Sequence, residues 1–114
     1  MQDCLFCKII AGEIPSKKVY EDALVFAFED IAPQAPVHIL VVPKEHMRDV
    51  RGFEDRHGQL LVHMMHAARQ ITEEKGISDS GYRLIFNTGA DACQSVKHVH
   101  MHVLGGQGMT DRMA

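Results

Sequence analysis

A seven-residue stretch, His98-Val99-His100-Met101-His102-Val103-Leu104, holds three of the eight histidines of this 114-residue chain. Histidine and hydrophobic residues alternate along it, which is the pattern of a β-strand with one polar and one apolar face. As a strand, residues 98–104 place the three imidazoles on one face, about 7 Å apart, since each residue advances the chain by about 3.4 Å. Imidazoles act as nucleophiles, proton donors and metal ligands. Three in one row favour a chemical site over a polar surface that carries histidine by chance.

Hydrophobic patterns on the N-terminal side of this stretch predict the other elements. A short helix is expected over residues 4–11 and a long helix over about 54–75, with Gly12 and Gly76 following as terminating residues. The apolar positions of the long helix recur at helical spacing: Leu60, Leu61, Met64, Met65, Ala68 and Ile71. Strands are expected over 18–21, 24–29, 37–42 and 82–87. With the histidine strand, these predict an α+β fold: a five-stranded antiparallel sheet with one long helix and a short N-terminal helix.

Length and composition favour one domain over residues 1–114. The chain is 46% hydrophobic and 24% charged, which is ordinary for a soluble globular domain. Its net charge is −3 with no block of like charges, so neither a nucleic-acid partner nor a membrane partner is expected, and no apolar run approaches the ~20 residues of a membrane span. Three cysteines, an odd number, and a start unlike a signal peptide predict a reducing, cytoplasmic environment.

Polar residues flank the histidine strand in sequence. Asn87-Thr88-Gly89 ends the preceding strand, and Gln94-Ser95 lies just before the histidines. Amide and hydroxyl groups are suited to hold phosphate oxygens while an imidazole attacks phosphorus. The combination predicts phosphoryl or nucleotidyl transfer. A metal-dependent hydrolase, in which the histidine strand itself holds a catalytic ion, stays open as an alternative.

Blocks along nearly the whole chain resemble the histidine triad (HIT) family, and in particular its Hint branch of nucleoside phosphoramidases. Besides the histidine strand, the resemblance rests on blocks in the same chain order: residues 6–10 (Phe-Cys-Lys-Ile-Ile), 13–15 (Glu-Ile-Pro), 27–36 (Ala-Phe-Glu-Asp-Ile-Ala-Pro-Gln-Ala-Pro), 38–44 (His-Ile-Leu-Val-Val-Pro-Lys) and 94–106. The resemblance implies a HIT-like fold and a homodimer. It also implies a purine nucleotide such as AMP, or an adenylated amine, as the molecule that the chain binds.

The resemblance further implies a role for each site residue. His100 is the nucleophile that forms a nucleotidyl-histidine, the backbone carbonyl of His98 orients it, His102 contacts the phosphate and assists the leaving group, and His38 supports the triad. Asp30 binds the ribose. The remaining phosphate and leaving-group contacts are Asn87, Gln94 and Ser95, and the pocket for the base is formed by Leu5, Phe6, Ile9, Phe28 and Ile31. A dinucleoside polyphosphate hydrolase and a nucleotide-binding scaffold with little turnover are the alternatives.

The pair Cys4-x-x-Cys7 is by itself ambiguous between metal binding, redox chemistry and packing. A closed structural zinc site needs four ligands, and His46 and His98 are the candidates for the other two. Bacterial members of the HIT family look similar here, so the resemblance implies a structural zinc, separate from the chemistry, and no organic cofactor. Cys93 stands where the family usually has glycine. The three remaining histidines are predicted to lie on the solvated surface: His57, His63 and His66.

Overall fold

The computed structural model describes residues 3–112. Its helices are α1 (Leu5–Ile10) and α2 (Gly58–Glu74), and its strands are β1 (Lys18–Glu21), β2 (Val25–Glu29), β3 (Val37–Pro43), β4 (Tyr82–Phe86) and β5 (Met101–Gly105). Short 3-10 turns occupy Val50–Gly52, Asp55–His57 and Ala90–Ala92. The predicted α+β fold is therefore confirmed. No helix among residues 3–112 has the length and apolar character required to cross a membrane.

The five strands form one antiparallel sheet in the order β1-β2-β3-β5-β4. Strand β5 is an inner strand, and His102 on it faces Leu40 of β3 on one side and Ile85 of β4 on the other. The apolar runs of β2 and β3 are buried along almost their whole length. The sequence thus places its histidines beside the most buried strands of the molecule.

The prediction that the histidine strand begins at His98 was wrong by three residues, because the ladder of β5 begins at Met101. The reason lies in Pro43, which ends β3 and has no N–H to donate to a neighbouring strand. The Pro43 carbonyl instead accepts a hydrogen bond from His98 Nε2 at 2.8 Å, and the amide of Val99 donates to the Met47 carbonyl at 2.7 Å. His98 is thereby held by a side-chain bond rather than by sheet pairing.

Helix α2 covers one face of the sheet with a buried stripe of Leu60, Met64, Ala67, Ala68 and Ile71. The predicted stripe was wrong at Leu61 and Met65, which are 38% and 43% exposed. Each of the two follows a buried residue, Leu60 or Met64, and one residue corresponds to a rotation of about 100° around the helix axis. The buried stripe of α2 is therefore narrower than the sequence pattern predicted. Helix α1 lies on the opposite face, where Phe6 and Ile9 pack against side chains of β2 and β3.

The start of the long helix also differs from the prediction. Residues 55–57 form a 3-10 turn, and α2 begins only at Gly58. His57 was predicted to be solvated, whereas it is 3% exposed, because its Nδ1 accepts a hydrogen bond from the Glu54 amide at 2.9 Å and its ring packs on Phe53. His66 is exposed as predicted, while His63 is half-buried beside Asp22.

Candidate active site

A cleft of about 800 Å³ opens on the α1 face of the sheet. Nine of the residues predicted for the site line it: Leu5, Phe6, Ile9, Phe28, Asp30, Ile31, Ser95, His100 and His102. Apolar residues of α1 and β2 wall the cleft, and the imidazoles of His100 and His102 line it as well. Ile31 is fully exposed at its rim. The sheet and α1 therefore bring the predicted base, ribose and histidine positions into one cavity.

The ring of His100 is fixed from two sides. Its Nδ1 lies 2.8 Å from the backbone carbonyl oxygen of His98 and, since a carbonyl only accepts, Nδ1 carries the proton and donates. The Phe6 ring and the imidazole pack in a T-shaped arrangement, with ring centroids 5.1 Å apart. His100 is 7% exposed and lines the cleft. The other ring nitrogen, Nε2, is left with a free lone pair, as a nucleophile requires.

A second chain of hydrogen bonds fixes the protons of His38 and His102. The amide of Gln34 donates to His38 Nδ1 at 3.0 Å, so the proton of the neutral His38 ring sits on Nε2. That Nε2 donates to His102 Nδ1 at 2.8 Å, so His102 carries its own proton on Nε2. Burial, and then the neighbouring His100 and His38, lower the pKa of His102 to about 4, although Asp30 opposes this shift. At pH 7 His102 is thus a neutral ring with an N–H donor.

Asp30 lies at the end of β2, on the wall of the cleft, next to His38. Its Oδ1 accepts from the Ala32 amide at 2.8 Å, and its Oδ2 lies 3.4 Å from His38 Nε2. Burial lowers the pKa of His38, and the negative charge of Asp30 partly counteracts that effect. The carboxylate therefore belongs to the same polar cluster as His38 and His102, with these three ligand atoms within 4.8 Å of one another.

Gln94 and Asn87 do not line the cleft among the described residues. The Gln94 side chain, 5% exposed, accepts from the Gly89 amide at 3.0 Å and donates to the carbonyls of Arg48 and Val96 at 2.7 and 3.0 Å. The implied phosphate contact is not available to an amide that is fully engaged with backbone groups. Gln94 instead shapes the loop that presents Ser95 to the cleft.

Cys93, immediately before Gln94, adopts φ 62° and ψ 36°, the left-handed conformation. Glycine takes this conformation without the steric penalty of a Cβ, which explains why a glycine suits the position. The Cys93 side chain is exposed.

A second cluster of side chains lies at the N-terminal end of α1 and consists of Cys4, Cys7, His46 and His98. His98 Nδ1 lies 3.2 Å from Cys4 Sγ, 3.6 Å from Cys7 Sγ and 3.2 Å from His46 Nδ1, and Cys7 Sγ lies 3.5 Å from His46 Nδ1. Tetrahedral zinc with Zn–S of about 2.3 Å and Zn–N of about 2.0–2.1 Å separates neighbouring donor atoms by roughly 3.3–3.8 Å. The four side chains fit such an ion.

The hydrogen bond of His98 also suits a cation. Because His98 Nε2 donates to the Pro43 carbonyl, His98 Nδ1 presents a lone pair to the cluster, which is the outer-shell arrangement of metal-binding histidines. Burial and the adjacent Cys4 sulfur raise the pKa of the Cys7 thiol, so a metal ion that binds here has to displace the proton of that thiol. The Pro43 carbonyl orients the ring of His98, and the Gln34 amide orients the ring of His38. The sequence did not reveal either role, because both residues act through backbone atoms.

Comparison with known proteins adds to this geometry. Residues 3–114 match the family model described as scavenger mRNA decapping enzyme C-term binding. The chain belongs to the histidine triad family. It is 46% identical over 113 residues to the purine nucleoside phosphoramidase of Escherichia coli (strain K12), an alignment that covers 99% of this chain and 95% of that protein. It is also 46% identical over 107 residues to the 14 kDa zinc-binding protein of Zea mays, covering 92% of this chain and 83% of that one.

Solved structures agree with the fold. The HIT family hydrolase from Clostridium thermocellum superimposes with a TM-score of 0.97 at 45% identity, covering 100% of this chain and 99% of that chain. The HIT family hydrolase from Legionella pneumophila Philadelphia 1 gives a TM-score of 0.94 at 44% identity, covering 96% and 98%. The relatives of this chain thus include hydrolases of the same fold.

Proposed function

We propose that this chain hydrolyses purine nucleoside 5′-phosphoramidates through a nucleotide covalently attached to His100. The observation that carries the proposal is the orientation of the His100 ring, whose Nδ1–H is held by the His98 carbonyl and whose Nε2 lone pair is free at the cleft. The similarity to a protein named purine nucleoside phosphoramidase supports the substrate class.

In the first step His100 Nε2 attacks the α-phosphorus. The new N–P bond forms while the P–N bond to the amine breaks, and the departing amine takes up a proton from water. The His102 Nε2–H donates to the phosphoryl oxygen on which negative charge grows, as preorganised donors do in acyl and phosphoryl transfer. In the second step water attacks the phosphorus and loses a proton, the bond to His100 breaks, and AMP leaves.

The nucleoside lies along the cleft in this proposal. The apolar walls from α1 and β2 enclose the base, with Phe6 and Phe28 in edge-to-face contact at 5.5 Å. Asp30 accepts hydrogen bonds from the ribose hydroxyls, and Ser95 lies near the phosphate. Asn87 directly follows the last residue of β4, and the resemblance implies that its amide contacts the phosphate or the leaving group. In this proposal the base is recognised by the shape of the apolar walls, and the ribose and phosphate are recognised by hydrogen bonds.

We assign Cys4, Cys7, His46 and His98 to a structural zinc ion, on the strength of donor distances that suit tetrahedral coordination. When bound, zinc supplies a cross-link between α1, the segment after β3 and the start of the histidine stretch. No step of the hydrolysis uses it.

Release of AMP from an adenosine 5′-phosphoramidate tests the proposal. Turnover should be abolished in His100→Ala and unchanged in the matched control His66→Ala, whose side chain is exposed on α2. A nucleotide bound to the wild-type chain by an acid-labile P–N bond, trapped by rapid quenching, is the expected intermediate. Faster turnover of a diadenosine polyphosphate would favour the alternative hydrolase, and tight AMP binding without turnover of any leaving group would favour a scaffold.

We further propose a homodimer, formed by a second copy of this chain at the β4 edge. Strand β4 ends the sheet, and Tyr82 and Leu84 on it are 37% and 36% exposed. Leu61 and Met65 add exposed apolar surface on α2. Light scattering should give twice the chain mass, and Leu84→Lys should shift the protein toward the monomer, whereas Lys17→Glu, away from this edge, should not.

A further inference from the structure

Helix α1 is joined to the rest of the fold by side chains. Within residues 3–112, the backbone hydrogen bonds of residues 4–13 run only between members of that segment. Phe6 and Ile9 pack against side chains of β2 and β3, which is an apolar attachment. The polar attachment is the cysteine–histidine cluster, in which the two cysteines of α1 and its N-cap contact His46 and His98. Whatever changes the cysteines therefore changes how α1 is held.

The two cysteines of this cluster lie close enough to react with each other. Cys4 is the N-cap residue of α1, and the amide of Cys7 in the first turn donates to Cys4 Sγ at 3.3 Å. Both sulfurs contact His98 Nδ1, at 3.2 and 3.6 Å, and all ligand atoms of the cluster lie within 4.8 Å of one another. A disulfide has its sulfurs about 2.0 Å apart, so rotation of two side chains is enough to form one. Both cysteines are half-buried, which leaves them accessible to a small oxidant.

A disulfide between these residues and a zinc ion in the cluster exclude each other. Cysteine binds zinc as a thiolate, and a disulfide sulfur carries no such charge. Oxidation thus removes two ligands at once and leaves only His46 and His98, whereas a closed structural site needs four. The disulfide joins Cys4 to Cys7 within one helical turn, so it does not replace the cross-link from α1 to the two histidines.

The nucleotide cleft depends on the same segment of chain. The two residues between the cysteines, Leu5 and Phe6, both line the cleft. The Phe6 ring lies 5.1 Å from the ring of His100 and 5.5 Å from that of Phe28, measured between centroids. A loosened α1 therefore moves a wall of the cleft away from the histidine that lines it.

We propose that Cys4 and Cys7 form a redox switch on the nucleotide cleft. As thiolates they hold zinc, fix α1 and keep the cleft in its binding form. As a disulfide they release zinc and weaken nucleotide binding. This inference rests on the proposed function, because the nucleotide cleft and the zinc site are both parts of it.

The oxidant class is a hydroperoxide, represented by hydrogen peroxide. One thiolate attacks a peroxide oxygen, the O–O bond breaks, and a sulfenic acid and a hydroxide ion result. The second thiolate attacks the sulfur of the sulfenic acid, the S–S bond forms, and a second hydroxide ion leaves. The peroxide gains the two electrons that the two sulfurs lose. A dithiol reductant reverses the change by thiol–disulfide exchange.

Peroxide titration of the zinc-loaded Cys93→Ser protein tests the switch. The chain has three cysteines, and this substitution removes the exposed thiol outside the cluster. Peroxide should release about one zinc ion per chain, detected with a chromogenic chelator, and mass spectrometry should find the Cys4–Cys7 disulfide. The Kd for AMP, measured by isothermal titration, should rise about tenfold. Dithiothreitol with added zinc should restore the original Kd, and a Kd that stays high would overturn a reversible switch.

A reciprocal measurement separates a switch from oxidative damage. If the dithiol form binds AMP about tenfold more tightly, linkage requires saturating AMP to favour the dithiol over the disulfide by the same factor. In buffers of defined glutathione ratio and fixed free zinc, AMP should therefore lower the ratio of disulfide to dithiol about tenfold. A ratio that does not respond to AMP would contradict the coupling between the cysteine pair and the cleft.

The remaining outcomes distinguish this inference from the proposed function. If the reduced protein neither binds AMP nor hydrolyses a phosphoramidate, the proposed function fails and the switch fails with it. If the reduced protein binds AMP but takes up no zinc, the zinc assignment and the switch fail while the hydrolase proposal stands. If zinc and AMP both bind, yet the disulfide forms with no change in the Kd for AMP, or peroxide leaves both thiols reduced, only the switch is overturned.

Discussion

The Nδ1 of His100 donates to the backbone carbonyl of His98 across 2.8 Å, while the ring of His98 turns away from the cleft toward two cysteine sulfurs. One residue thus orients the proposed nucleophile with its main chain and belongs to the proposed zinc site with its side chain. The cleft and the cysteine–histidine cluster therefore meet at His98. No atom proposed to react in the cleft belongs to the cluster. If the proposed zinc is bound, its loss is therefore expected to loosen the cleft without removing any reacting group.

Replacement of the proposed nucleophile gives the most direct test of the reaction. His100→Ala should lower kcat by at least about 1,000-fold, equivalent to about 4 kcal/mol of barrier. The affinity for AMP should change by less than about tenfold, because base and ribose contacts stay in place. Isothermal titration with AMP and a rate assay on the same preparation measure both. Activity retained within about tenfold of the wild type would show that His100 is not the nucleophile.

Metal content tests the assignment of the cysteines. The protein purified without chelator should contain about one zinc ion per chain by mass spectrometry, and Cys4→Ser should lose it and unfold at a lower temperature. AMP binding should weaken as well, since α1 carries the Phe6 and Ile9 walls of the cleft and is held by the cluster. Cys93→Ser is the matched control, because its thiol is exposed outside the cluster. Equal zinc content in wild type and Cys4→Ser would refute the assignment.

The acid dependence of stability should reflect Asp22, which joins the β1–β2 turn to α2. Burial alone would raise the pKa of Asp22, but hydrogen bonds from the Leu24 amide, His63, Tyr20 and the Val25 amide lower it to about 2. Between about pH 4 and 2 the unfolded chain binds more protons than the folded chain, so this contribution of roughly 2 kcal/mol is present above that window and is lost as the pH falls through it.

Asp22→Asn removes the charge and should lower the free energy of unfolding by roughly 2 kcal/mol at pH 7, and by much less near pH 2. Urea titrations at several pH values provide the measurement. Asp79→Asn, at an exposed position, is the control and should follow the wild type. A constant difference between Asp22→Asn and wild type at all pH values would contradict the role of the charge.

The sequence predicted what depends on side-chain periodicity and missed what depends on backbone groups. Alternation placed His100 and His102 on one face of the sheet, and the helical spacing of apolar residues located the long helix. The start of β5 could not be predicted, because it depends on the proline at the end of a partner strand. The hydrogen bonds of Gln94 to three backbone groups could not be predicted either. The side chain of a polar loop residue can bond to a ligand or to the main chain, and the sequence does not distinguish the two.

Close packing at the end of β5 gives the last prediction. A Cβ on Gly105 would lie 2.6 Å from Ile77 Cδ1 and 3.4 Å from both the Gly81 carbonyl oxygen and Tyr82 Cβ. Ile77 is buried, so its side chain has little space into which to move. Gly105→Ala should therefore destabilise the fold by about 1–3 kcal/mol, as overpacking does.

The added Ile77→Val substitution removes the clashing methyl group and should recover part of this loss, so that the double variant is more stable than the sum of the two single changes predicts. Gly108→Ala, where a Cβ would meet no atom within 4 Å, is the control and should stay within about 0.5 kcal/mol of wild type. Chemical denaturation of all four variants measures the coupling between positions 77 and 105. Strict additivity would mean that the strain at Gly105 comes from the Gly81 carbonyl and Tyr82 and not from Ile77.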